Sequence, residues 1–247
     1  NLVRVAGQDV SRDFERAIEL DPYYVEAYLT FAEYLINQGN YLDSGKLIEE
    51  LRGILTYEDA RYNWLNARLL LAQEDFPSAL DAARQAIHLN QTFLPGYLTL
   101  AQTYLANQQP KAAIDQVKIY LRYEPESPEG WLVLAQAQYA SNSDREATLS
   151  SLIKAIELNP KNPEVFWVRG SLYLEAGKSQ LAINDFLDAV RLDSSSFVYN
   201  LELGRALYAA ERFTDAVRQL TVAERLASAD QQYAALYYWR ARTFEAL

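Results

Sequence analysis

The chain contains no cysteine and no methionine, and His88 is its only histidine. Without cysteine there are no disulfides, no thiolate metal sites and no cysteine nucleophile. The lack does not fix a compartment, because cytosolic and secreted chains alike can do without it. A lone histidine has no second imidazole for a metal or a proton relay. His88 falls near the end of a helical stretch, where a cation suits the helix dipole. No run of about 18 apolar residues occurs, so no segment reads as a membrane span. The start carries no basic-then-apolar leader. A chain that opens on Asn1 and lacks methionine throughout is expected to be a processed form or a segment of something longer.

Positive charge is also scarce. The 23 basic residues face 33 acidic ones, a net charge of −10. Residues 1–123 carry 11 basic and 16 acidic side chains, residues 124–247 carry 12 and 17, and each half stands at −5. No basic lobe exists for nucleic acid, which selects clustered positive surface. The acidity reads as a solubilising surface.

What the chain has is a small residue returning at a nearly fixed step. Ala32, Ala67, Ala101, Ala135, Gly170 and Gly204 are 34 or 35 residues apart, and Ala241 follows after 37. Ala17, Leu51, Ala86, Tyr120, Ala155, Ala189 and Ala223 keep the same step in a second series. Two registers repeating together mean one structural unit copied along the chain.

Each copy reads as two helices. The first places large apolar residues around the small one, as in Tyr97, Leu100, Ala101 and Tyr104, or Phe166, Arg169, Gly170 and Tyr173. Spacings of three and four put them on one helical face. Trp131, Leu134 and Ala135 match in the first half, with Gln138 where an aromatic residue is expected. The second helix shows Ala182, Phe186 and Ala189, then Ala216, Leu220 and Ala223. Copies close on Asp21-Pro22, Glu124-Pro125 or Asn159-Pro160. These residues resemble the tetratricopeptide repeat, over almost the whole chain. The resemblance implies an all-α fold, a right-handed superhelix of antiparallel helix pairs whose first helices line a concave face.

Physically, alanine or glycine at the crossing lets two helices approach closely while larger neighbours fill the gaps. Ala101→Leu is expected to overpack that contact. The expected organisation is one array: a partial repeat at 9–24, repeats at 25–59, 60–93, 94–127, 128–162, 163–196 and 197–230, and a terminal helix at 231–247. Residues 1–8 are too short to assign. Turn chemistry agrees: Gly39 and Gly177 stand between first and second helices, where a left-handed residue is needed. Ser127-Pro128 and Asn162-Pro163 place a cap before a first-turn proline, and Ser143 to Glu146 has capping-box spacing.

Projecting the first helices gives the side chains opposite the small residues. They are Leu29, Glu33 and Ile36; Trp64, Arg68 and Leu71; Leu98, Gln102 and Leu105; Leu132, Gln136 and Tyr139; Trp167, Ser171 and Leu174; Leu201, Arg205 and Tyr208; and Tyr238, Arg242 and Glu245. The middle member of each set is polar and the outer two are mostly apolar. The expected surface is a peptide-binding groove with a polar ladder along its floor, and Glu33, Trp64, Arg68, Gln102, Gln136, Tyr139, Trp167, Ser171, Arg205, Tyr208, Tyr238 and Arg242 are its candidate contacts. The leucines have a competing place in the packing between repeats. Some members of the resembling family clamp a peptide carboxylate with Lys, Asn and Arg. The matching positions here are Leu29, Glu33, Leu65, Pro95 and Thr99, which cannot build that clamp.

In the terminal helix, Tyr233, Tyr237, Ala241 and Phe244 are expected to pack on the preceding pair, leaving Leu236, Trp239 and Leu247 outward. That apolar edge would support homo-oligomers through the C-terminal end. No G-x-S-x-G, phosphate loop, H-E-x-x-H or calcium-loop pattern occurs. The sequence therefore reads as a non-catalytic protein-interaction scaffold with no cofactor and no metal, binding a peptide or helix of a partner protein. The alternatives are a self-assembly module joined through its ends and the recognition arm of a larger protein. Partner and compartment are not legible.

Overall fold

The computed structural model describes residues 10–142 and 144–247. Among them the chain forms helices α1 (Val10–Leu20), α2 (Val25–Asn37), α3 (Tyr41–Ile54), α4 (Ala60–Ala72), α5 (Phe76–Leu89), α6 (Leu94–Ala106), α7 (Pro110–Tyr123), α8 (Pro128–Ala140), α9 (Arg145–Leu158), α10 (Pro163–Glu175), α11 (Ser179–Leu192), α12 (Phe197–Ala209), α13 (Phe213–Leu226) and α14 (Asp230–Glu245), and no strand. They fall into two compact units. The first ends at Tyr123 and holds α1–α7. The second begins at Glu124 and holds α8–α14. The residues before Val10, and the Ser143 end of the expected capping box, lie outside the described residues. The cap seen at the start of α9 is Asp144, whose carboxylate accepts from the Glu146 N–H at 3.0 Å.

Both units are built by one rule. A first helix packs along a second helix, as in α2 with α3 or α10 with α11, and neighbouring first helices touch: α2 with α4, α4 with α6, α8 with α10, α10 with α12, and α12 with α14. No described second helix touches another second helix of its own unit. The first-helix layer is therefore the tighter one, and each unit curves toward it.

The small residues set the crossings. Ala32, Ala67, Ala101 and Ala135 are fully buried. A Cβ on Gly204 would stand 2.6 Å from Leu220 Cδ2, and one on Gly170 would stand 2.8 Å from Phe186 Cε1. Each is closer than carbon atoms pack, so glycine is required where the facing residue is large. Ser44, where four of the five later second helices carry alanine and α9 carries Thr148, is fully buried and donates its hydroxyl to the Ala32 carbonyl at 3.3 Å.

Six turns join first to second helices, and each uses one left-handed residue. Gly39 (φ 75°) and Gly177 (φ 70°) adopt it freely; Glu74 (φ 62°), Gln108 (φ 56°), Asn142 (φ 53°) and Glu211 (φ 60°) do so against the preference of a side chain. The left-handed region costs a non-glycine residue about 1–2 kcal/mol, and glycine's extra unfolded-state freedom offsets about 0.5–1 kcal/mol of that. Glu211→Gly is thus expected to stabilise the second unit by up to about 1 kcal/mol, read as a higher urea midpoint. An unchanged or lower midpoint would show that the turn is unstrained.

The terminal helix departs from expectation. Leu236 and Thr243 are fully buried and meet the preceding elements, and Arg240 pairs with Glu224 of α13 at 2.5 Å. Tyr237 and Phe244 are about half exposed, and Ala241 between them is exposed. Trp239, expected to face outward, packs against Tyr208 with ring centroids 5.7 Å apart. Tyr233 does reach inward, donating to the Ala227 carbonyl at 3.0 Å, and Leu247 stays exposed. The physical reason is visible in the other pairs. The small residue marks the face toward the second helix that follows, as Gly204 faces Leu220, so Ala241 cannot mark the face toward α13.

Candidate protein-interaction groove

The first-helix face of the second unit carries a cleft of about 340 Å³, lined by Tyr139 of α8, by Trp167, Ser171, Leu174 and Glu175 of α10, and by Glu202 and Arg205 of α12. Four candidates from the sequence, Tyr139, Trp167, Ser171 and Arg205, meet here. The Tyr139 hydroxyl donates to the Glu175 carboxylate. Burial, with the negative charge of Glu175 beside it, holds the Tyr139 phenol far above its usual pKa, so it remains a donor. Ser171 donates back to the Trp167 carbonyl at 3.0 Å, within its own helix.

Glu202 is the electrostatic centre of the cleft. Its side chain is only 14% exposed and pairs with Arg205 at 2.6 Å. Burial raises its pKa, and the Arg205 charge only partly opposes the rise. The folded state thus holds this proton more tightly than the unfolded chain does. The contribution of Glu202 to stability is present at low pH and is lost as pH rises through its elevated pKa. Arg205 lies 5.0 Å from the centre of the Trp239 ring. Its Nε and the Trp167 Nε1 are buried and find no acceptor among the described residues.

Nearby on the same face, Gln136 donates to Glu164 at 2.6 Å. Tyr208 packs on Phe213 and Trp239 at 5.6 and 5.7 Å. Arg242 reaches the Tyr208 hydroxyl at 3.3 Å and the Tyr238 hydroxyl at 3.4 Å, and both Tyr238 and Arg242 are exposed.

In the first unit, Glu33 and Gln102 are half-buried on the first-helix layer. Arg68 donates to Asn37 at 2.7 Å and lies 5.1 Å from the centre of the Trp64 ring. Trp64 itself is a correction. It is 9% exposed, it donates its indole N–H to Thr99 at 2.9 Å, and Phe93 packs edge-on against it at 5.6 Å. It is part of the core, not a groove wall. Leu29, Ile36, Leu132 and Leu201 are buried in the same way.

Family models described as "Tetratricopeptide repeat" match residues 14–45, 70–137 and 141–197, on both units. This chain belongs to the tetratricopeptide repeat family. Its repeats make it a protein-interaction scaffold in the general sense, and members of the family are typically non-catalytic. Among curated proteins, it is 24% identical over 191 residues to "Cellulose synthase operon protein C" of Pseudomonas fluorescens (strain SBW25), covering 73% of this chain and 15% of that protein. It is 34% identical over 77 residues to "Small glutamine-rich tetratricopeptide repeat-containing protein 2" of Mycosarcoma maydis, covering 31% and 22%. The chain spans 10–26% of the length of the curated relatives it matches. Among solved structures it resembles a chain of the APC/C hetero-tetramer Cut9–Hcn1, with a TM-score of 0.81, 17% identity, and 96% of this chain and 46% of that one covered. A tetratricopeptide repeat protein from Parabacteroides merdae ATCC 43184 gives 0.69, 14%, 95% and 91%. At these identities the likeness is one of fold. No helix among the described residues is long and apolar enough to cross a membrane.

Projection of these tetratricopeptide repeats missed Glu175 and Glu202, which carry the charge of the cleft. The signal was present. The residue five places after the small one is Asn37, Ala72, Ala106, Ala140 and Ala209 in the other repeats, and Glu175 here. The residue two places before it is Thr30, Leu65, Thr99, Val133 and Val168, and Glu202 here.

Proposed function

We propose that the second unit holds an extended segment of a partner protein in the first-helix cleft, and that the chain performs no catalysis of its own. The supporting observation is the cleft itself, which joins three successive first helices into one surface with aromatic walls and a polar floor. Tyr139, Trp167 and Leu174 offer apolar contact that excludes water around an anchoring side chain. The polar groups of the ladder are held in place by their neighbours, as Gln136 is by Glu164, which lowers the ordering cost of binding.

Ser171→Trp tests this reading, because it fills the cleft without altering charge. Peptides selected on the intact chain from a random nine-residue library should lose at least about tenfold in affinity to this variant by calorimetry. Leu187→Trp, on an exposed position of α11, should change nothing. Equal behaviour of the two variants would place binding elsewhere.

A further inference from the structure

Resting on that reading of the cleft, we propose that the bound segment is anchored by a basic side chain, arginine or lysine, held by the carboxylates of Glu175 and Glu202. The case begins with comparison of the repeats among themselves. At the position of Glu202 four of the five earlier repeats bury Leu65, Thr99, Val133 and Val168, each 5% exposed or less, and the first carries the half-buried Thr30. At the position of Glu175 all but the first place alanine. A repeat needs neither acid to fold. Both departures nevertheless fall within the second unit, on adjacent first helices, and both line one cleft.

Charge then selects the ligand. The lining holds two carboxylates and one guanidinium, a net −1, within a unit whose residues sum to −5. Arg205 is already paired with Glu202 at 2.6 Å, so an incoming carboxylate would meet a neutralised cation and an opposing Glu175. An incoming cation meets the reverse. Glu175 accepts one bond from Tyr139 and, as a carboxylate, has sites for more. Glu202 is buried with a single charged partner, and its elevated pKa reports that this partner does not fully compensate it. A second cation would complete the compensation. The walls suit the rest of such a side chain: Trp167 and Tyr139 present ring surface to a guanidinium or ammonium, and Leu174 covers an aliphatic stem.

The test uses the whole chain and nine-residue peptide libraries with degenerate flanks and a fixed central arginine, lysine, glutamine, leucine or glutamate. Arginine- and lysine-centred pools should bind about tenfold more tightly than the glutamine pool, and the glutamate pool most weakly. The preference should shrink as salt is raised. Glu175→Gln and Glu202→Gln should each bring the affinities of the arginine and lysine pools down toward that of the glutamine pool. Glu175 is exposed, so its substitution reads out recognition even where that of Glu202 disturbs the fold. Binding that Ser171→Trp abolishes but that shows no basic preference overturns this proposal and leaves the groove standing. A basic preference that survives Glu175→Gln and Glu202→Gln also overturns it. Absence of binding by every pool overturns both.

Discussion

Asp185→Ala is expected to destabilise the second unit by about 3–5 kcal/mol. Asp185 lies on α11 at 4% exposure and receives two hydrogen bonds from Arg169 of α10, from Nε at 2.9 Å and from a terminal nitrogen at 2.7 Å. Arg169 stands where the repeat pattern calls for leucine, as Leu100, Leu134 and Leu203 do in other copies. Its guanidinium is also 5.8 Å from the centre of the Phe166 ring, and the pairing with Asp185 holds its pKa above the usual value. Removing the carboxylate leaves a largely buried guanidinium without its partner, and desolvation of that charge is then uncompensated. Removing both charges, as in Arg169→Leu with Asp185→Ala, should recover most of the loss, because no buried charge is then left without its partner. Urea unfolding of the two single variants and the double variant closes the cycle. A cost below about 1 kcal/mol for Asp185→Ala would mean that the pair is solvated in solution.

The all-α class and the repeat were legible because a helix crossing that admits only a small side chain imprints a fixed step on the sequence. Gly170 and Gly204 show the constraint directly, through the large residue each one faces. Depth was less legible than direction. A helical projection gives the side on which Trp64 lies, but not that Phe93, at the end of its own repeat, and Thr99 of the next close over it. The terminal helix turns Leu236 and Trp239 inward, against the expectation that Ala241 marks the face toward the preceding pair. In a stack the small residue marks the helix that follows, and the preceding pair meets the flank instead, here Leu236 and Thr243. Glu175 and Glu202 escaped for a different reason. A carboxylate on a helix is usually solvated, and only comparison of the same position across repeats shows these two to be exceptions.

The same geometry makes Phe186 the apolar residue whose loss should cost most. Phe186 is fully buried, and its ring edge lies where a Gly170 Cβ would come within 2.8–3.1 Å. It belongs to a cluster with Ala182, Ile183, Leu203, Ala206, Leu207 and Ala216, and so joins α10 and α11 to the next pair. Phe186→Ala removes a ring from a site closed on every side, and a buried Phe→Ala change costs about 3–5 kcal/mol. Because stability in a repeat stack is a sum of local and nearest-neighbour terms, the loss should appear as faster hydrogen exchange in α10 to α13, with α8 less affected. Gly170→Ala alone should also destabilise, since the added methyl group strikes the ring. In the Phe186→Ala background the same change has room, gains helix propensity and fills part of the cavity, so its sign should reverse. That reversal separates a steric lock between glycine and ring from two unrelated core positions, for which the two effects would simply add.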